Sequence, residues 1–392
     1  MPQLSDRVGI FTDSVIRRMT RIANQYGAIN LSQGFPDFDP PKALLDRLSE
    51  VAHEGPHQYA ITFGAQNTRE ALAKKQGKAI GREINPNTDI CITCGGTESM
   101  MAAMMTIVNP GDKVMVFSPF YENYGADAIL SGAEPIYIPL VPPTYDFDIN
   151  LIEEGFKQGA KAIVICNPSN PCGKVFTRDE LMAIAELCIK YDRFAVTDEV
   201  YEHIVFEPYE HVYMSSLPGM WERTITCNSM SKTYSITGWR LGYTIAPAEV
   251  TEGIRKVHDF LTVGAPAPLQ EAACVGLNMP QSYYDELRDL YTMKRDHFLA
   301  GLDRVGIKHN IPQGTYFVMV DISDYLALPQ FEGWDDMQFC EWLIKNIGVA
   351  AVPGSSFFKE EVNHLIRFHF ARGTEVLDEA VERLGKLKEL LL

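Results

Sequence analysis

The sequence predicts an α/β protein: a mostly parallel sheet sandwiched by helices, with a smaller α+β unit beside it. Two observations carry this. Through the middle of the chain, short apolar runs alternate with amphipathic segments, and the runs are continuous, as in strands covered on both faces. In the last third the pattern changes to long charged helices around one apolar strand.

Taken in order, the first 40 residues are loop-rich and are expected to pack with the C-terminal unit. Strands are predicted at 89–94 (DICITC), 113–119, 161–166, 194–200, 223–229 and 243–247. Helices at 98–108, 122–130, 178–191 and 248–261 fall between or after them. Helices at about 280–304 and 335–347, a strand at 315–322 (TYFVMVDI) and a charged terminal helix at 374–391 make up the rest. The expected domains are 45–277, large and ligand-binding, and a discontinuous small domain of 1–44 with 278–392.

A chain of 392 residues is too long for one simple core. Net charge is −16 with no basic block, which disfavours nucleic acid and anionic membranes as partners. The N-terminal MPQLSDRVGIF is polar and mixed, unlike a secretory signal. No apolar run approaches the roughly 18 residues of a membrane helix. Eight scattered cysteines read as free thiols in a reducing cytoplasm. Cys91 and Cys94 form a CxxC without a second pair or histidines at zinc spacing, so they read as buried strand residues, and no metal is expected.

In open α/β sheets, ligands sit beyond the carboxyl ends of the strands. After DICITC comes GGTES (95–99), a glycine turn opening a helix, where bare N–H groups favour an anion. After the 161–166 strand comes NPSNPCG (167–173); one Asn-Pro suffices for the turn, which leaves Asn170 for a ligand. DEVY (198–201) places Asp198 at the end of an apolar strand, costly unless a partner receives it. Lys232 follows another strand, and a desolvated lysine is suited to Schiff-base chemistry. A tight turn, a cap and a surface lysine explain each of these taken singly. Together they offer an anion cradle, an amide, an acid with a nearby phenol, and an amine. A lysine Schiff base with an acid at a pyridinium nitrogen is the pairing of pyridoxal phosphate sites.

The set GGTES, PFYENY, NPSNPCG, DEVY, SMSKTYSITGWRLG and IRFHFA resembles the class I aminotransferases of pyridoxal-phosphate fold type I, over nearly the whole chain. QGFPDF (33–38) and SLPGMWERT (216–224) add a likeness to kynurenine/glutamine transaminases and to archaeal aromatic and bacterial aspartate-type aminotransferases. The resemblance implies pyridoxal 5′-phosphate held by Lys232, which would then move the substrate's α-proton. It implies Asp198 at the ring nitrogen, Asn170 and Tyr201 at the ring's phenolic oxygen, and Tyr121 on the ring face with Tyr124 behind it. Gly96, Thr97, Ser229 and Arg240 would hold the phosphate, with Gly238 and Trp239 packing around the turn. Arg367 would grip the substrate α-carboxylate, closed over by Gly34 and neighboured by Asn170; Tyr59 would reach a second copy's phosphate, making the active unit a homodimer.

The implied reaction is transfer of an amino group from an L-α-amino acid to a 2-oxo acid, 2-oxoglutarate for example. Phe11, Ile16, Tyr59 and Phe357 would suit aromatic, methionine or glutamine donors, with aspartate also open. Ile16 stands roughly where kynurenine transaminases carry an aromatic, and no second arginine is assigned to a side-chain carboxylate. Cys172 stands where many relatives have threonine. Two other readings remain: a C–S β-lyase on the same scaffold, whose members usually lack the Gly-Trp-Arg of 238–240, and a non-enzymatic cofactor-binding regulator, which would be preceded by a DNA-binding helix-turn-helix.

Overall fold

The computed structural model describes residues 2, 4, 5, 9 and 14–391. Its strands are β1 (Ile29–Asn30), β2 (Ile90–Thr93), β3 (Lys113–Ser118), β4 (Glu134–Pro139), β5 (Ala160–Cys166), β6 (Phe194–Asp198) and β7 (Thr224–Ser229). They continue as β8 (Gly242–Ile245), β9 (Lys308–His309), β10 (Phe317–Asp321), β11 (Val349–Ala350), β12 (Val352–Pro353) and β13 (Leu365–His369).

Seven strands form the large sheet in the order β2-β8-β7-β6-β5-β3-β4. All neighbours run parallel except β8, which is antiparallel to β2 and β7. Val114 and Val116 of β3 enter one apolar cluster with Met100 and Met104, while Met115 and Phe117 enter another with Phe176 and Ile184. Alternate side chains thus bury both faces, which is why these strands read as continuous apolar runs. The helix Arg178–Tyr191 covers one face and starts on a capping box between Thr177 and Glu180. β4 was not expected. It is the edge strand, and Pro135 and Pro139 lower its strand signal; an edge tolerates them because one side needs no ladder bonds.

The second sheet is antiparallel, in the order β12-β13-β10-β9. β1 pairs in parallel with β11, and Met19, Ala23 and Leu31 join the apolar cluster of Phe298, Val318 and Phe368. Of the N-terminal segment, the stretch 15–31 therefore packs with the C-terminal unit. It is less loop-rich than expected: Val15–Tyr26 is a helix, capped by Ser14 and ended by Gly27 in the left-handed conformation at φ 61°. The segment expected as one helix at 335–347 is α-helical over Asp336–Trp342 and continues as a π-turn over Leu343–Ile347. The terminal helix ends at Gly385, followed by a 3₁₀ tail. Among the described residues, no helix is long and apolar enough to cross a membrane. All eight cysteines are free.

Candidate active site

A cavity of about 510 Å³ opens where β2, β3, β5, β6 and β7 end and β8 begins. Gly34, Gly96, Thr97, Tyr121, Asn170, Asp198, Tyr201, Ser229, Lys232, Arg240 and Arg367 all line it. Because β8 runs against its neighbours, its first residue, Gly242, lies at the same edge, opposite Thr93 and Ser229. This brings Arg240, two residues earlier, to the cavity with the strand ends.

One wall is built for an anion. The helix Gly96–Ile107 is capped by Gly95 at φ 89°, with no side chain bonding its first N–H groups. A Cβ on Gly95 would lie 2.8 Å from the Arg240 guanidinium carbon, and one on Gly242 would lie 2.6 Å from the Gly96 nitrogen. Only bare backbone lets the helix start, Ser229 and Arg240 converge. Arg240 donates to the Thr237 carbonyl at 2.9 Å, and none of the described carboxylates pairs with it.

The floor carries Asp198, buried at the end of β6. It accepts from the Tyr124 hydroxyl at 2.6 Å and the Val200 N–H at 3.2 Å. Burial pushes its carboxyl above the usual range, against the pull of those bonds and of the Lys232 charge. Tyr124 meets Tyr121 edge-on at 5.8 Å, so it both braces that ring and holds the acid. Burial raises the Tyr121 hydroxyl to about 12. Lys232 donates from Nζ to the Gly34 carbonyl at 3.3 Å.

The opposite wall comes from the second sheet. Arg367, in the middle of β13, is 1% exposed and lies between the rings of Phe317 (4.1 Å) and Phe357 (4.5 Å). It donates to Asn170 Oδ1 at 2.7 Å and to the Ser32 carbonyl at 3.1 Å, and its Nε has no partner. Burial lowers it to about 10, and no described carboxylate forms an ion pair with it. A buried guanidinium held only by neutral groups leaves room for an incoming carboxylate.

Some expected residues lie elsewhere. Tyr59 is 86% exposed and lies outside this chain's own cavity lining. Phe357 packs on Arg367 and is not in the lining, and Phe11 is outside the described residues. Gly238 does not pack in the turn: it is exposed, and a Cβ there would meet nothing within 4 Å. Trp239 does pack, against the cluster of Ile236 and Leu241. The lining also holds Ser14, Arg17, Glu122 and Asn123 beside Ile16, a wall not expected from the sequence. The cue was present: Ser14 before Val15 and Gly27 after Tyr26 mark a helix whose first turn faces the cavity.

Comparison with known proteins decides the family. The model of "Aminotransferase class I and II" matches residues 26–384. The chain belongs to the class I and II aminotransferases. It is 36% identical to the methionine aminotransferase of Escherichia coli, covering 95% of this chain and 96% of that one. It is 34% identical to human kynurenine–oxoglutarate transaminase 1, with 94% of both chains covered. The solved structure of N-succinyldiaminopimelate aminotransferase from Mycobacterium tuberculosis superimposes with a TM-score of 0.92 at 35% identity, over 98% of this chain and all of the other. The fold is that of the fold type I aminotransferases, and the family depends on pyridoxal phosphate.

Proposed function

We propose that this aminotransferase takes the amino group of an aromatic, methionine, glutamine or aspartate donor and passes it to 2-oxoglutarate, with Lys232 as its proton carrier. One observation carries the reading: an amine, a buried acid and a buried arginine share one cavity, and neither the acid nor the arginine has an ion pair among the described residues. The residues fit pyridoxal phosphate. The uncapped start of Gly96–Ile107, with Thr97, Ser229 and Arg240, suits its phosphate; Asp198 suits its ring nitrogen, Asn170 and Tyr201 its phenolic oxygen, and Tyr121 its face. Bound there, pyridoxal phosphate supplies the carbonyl that takes the amino group and the electron sink that lets the α-carbon release its proton.

The chain supplies the rest. Arg367 holds the donor's α-carboxylate by a two-pronged contact, with Asn170 fixing the guanidinium plane. The Gly34 carbonyl keeps Lys232 Nζ at the cavity, from which Nζ takes the α-proton and redelivers it. Tyr124 and the Val200 N–H draw the Asp198 carboxyl down against its burial and orient it, so that its charge would meet the protonated ring nitrogen. Ile16 gives the donor side chain an apolar wall.

The large sheet lies within 45–277, and the antiparallel sheet lies within 278–392; Met19, Ala23 and Leu31 pack with the latter, so we take 45–277 and the discontinuous 1–44 with 278–392 as the two domains. Tyr59, Ile61, Phe260 and Val263 form an exposed apolar group, joined by the Thr62–Asp259 hydrogen bond. A second copy covering it would make the homodimer, with Tyr59 reaching the partner's phosphate site. A cytoplasmic setting suits the free thiols.

The test loads the protein with pyridoxal phosphate and adds single amino acids without acceptor. Conversion of the bound cofactor to pyridoxamine phosphate by one or two of the named donors supports the reading. Pyruvate released from cysteine-type substrates, with the cofactor unchanged, would replace it with the C–S lyase.

A further inference from the structure

Tyr316 has no part in the roles above, yet it touches three of their groups. It is fully buried, and its hydroxyl donates to the Gly34 carbonyl at 3.2 Å. That same oxygen takes Lys232 Nζ at 3.3 Å. Nζ also lies 5.8 Å from the centre of the Tyr316 ring, within reach of its negative face. On its other side Tyr316 meets Tyr201 edge-on, with ring centres 5.3 Å apart at 88°.

The backbone aims it there. Thr315 sits at φ 65°, a left-handed conformation that is costly for a β-branched residue. It is held by its N–H on the Ile204 carbonyl at 2.8 Å and by its Oγ1, which accepts from the Phe317 N–H at 3.2 Å. A relaxed Thr315 would turn Tyr316 away from Gly34.

We propose that Tyr316 is a positioning residue for proton transfer: its hydroxyl holds the Gly34 carbonyl, and its ring and that carbonyl together fix where the Lys232 amine rests between steps. This rests on Lys232 being the proton carrier. Tyr316→Phe keeps the ring and removes the hydroxyl. The donor half-reaction is expected to slow roughly three- to tenfold, the worth of one hydrogen bond, with donor KM little changed. The deuterium effect from an α-deuterated donor should grow, and the midpoint of the loaded protein's visible absorbance against pH should move. Wild-type rate, isotope effect and pH midpoint in Tyr316→Phe would overturn the assignment. Lower thermal stability with an unchanged isotope effect and midpoint would also overturn it, as a purely structural role. Lys232→Ala separates the two layers. If it still exchanges the donor's α-hydrogen with solvent, the underlying reading fails. If it is inert while Tyr316→Phe is normal, only the Tyr316 assignment fails.

Discussion

Asp198 and Glu202 lie four residues apart after the same strand, and both are buried. They are treated in opposite ways. Glu202 accepts from Lys75 Nζ at 3.3 Å, Gln76 Nε2 at 3.0 Å and the Tyr213 hydroxyl at 2.7 Å. Burial alone would raise its carboxyl, but Lys75, His203 and these bonds hold it well below the usual range. Asp198 has a phenol and one N–H, no ion pair among the described residues, and a raised carboxyl. A third buried acid, Asp127, lies one helical turn after Tyr124. Its Oδ2 has no partner, and burial together with the Asp198 charge pushes it up to about 8, so it holds its proton at neutral pH. The three acids show three ways to bury a carboxyl: pair it, protonate it, or leave it for a ligand. The difference teaches where to look for the site. The compensated cluster around Lys75 is structure, whereas Asp198 and Arg367, without an ion pair among the described residues, share one cavity and mark the place of chemistry.

Breaking the compensated cluster tests the structural half of this contrast. Lys75→Met takes the lysine charge from buried Glu202 and leaves it Gln76, the Tyr213 hydroxyl and the buried His203 ring. Unfolding free energy should fall by about 3–5 kcal/mol, while the rate per folded molecule stays near wild type; chemical denaturation with active-site titration checks both.

Asp127→Asn sharpens the second solution. The folded carboxyl titrates near 8 and the unfolded one near 3.8. The folded state therefore binds the extra proton, and Asp127's contribution to stability is lost as pH rises from about 4 to 8. The variant should gain on the wild type across that window, by up to a few kcal/mol at its top, with a constant gap above it; melting of the cofactor-free proteins against pH checks this.

Tyr124→Phe is the gentlest cut. It removes a hydrogen bond to a charged group, worth about 1.5–3 kcal/mol. That bond lowers the Asp198 carboxyl, so without it Asp198 keeps its proton to higher pH. The acid limb of kcat/KM should move upward, with a loss of about tenfold or more at neutral pH.

How much of this was legible in the sequence depends on the kind of signal. Asp198 and Lys232 could be read because, with the glycine turn and Asn170, they fall at successive strand ends, although a cap or a surface lysine explains each singly; Arg367 could be read because a guanidinium inside LIRFHF is costly without a partner. The helix Val15–Tyr26 was hidden because its exposed face carries Arg17, Arg18 and Arg21 and only Met19 and Ala23 are buried. With it the cavity wall of Ser14, Ile16 and Arg17 was lost, apart from Ile16, which the family likeness supplied. Edge strand β4 carries prolines that argue against a strand. Tyr316 reads as an ordinary core tyrosine, because what distinguishes it is contact with residues about 280 and 115 positions earlier in the chain, roughly the separation at which local sequence rules stop informing.

The central claim is that Arg367 is an uncompensated charge kept for a substrate carboxylate. The direct measurement is Arg367→Met: unfolding free energy of the cofactor-free protein, beside the donor half-reaction rate of the loaded one. The account predicts stability equal to or above wild type, since an apolar side chain removes a buried charge, and a rate reduced about 100-fold. A protein destabilised by about 3 kcal/mol or more, with its remaining folded fraction reacting at the wild-type rate, would contradict it and make Arg367 part of the framework.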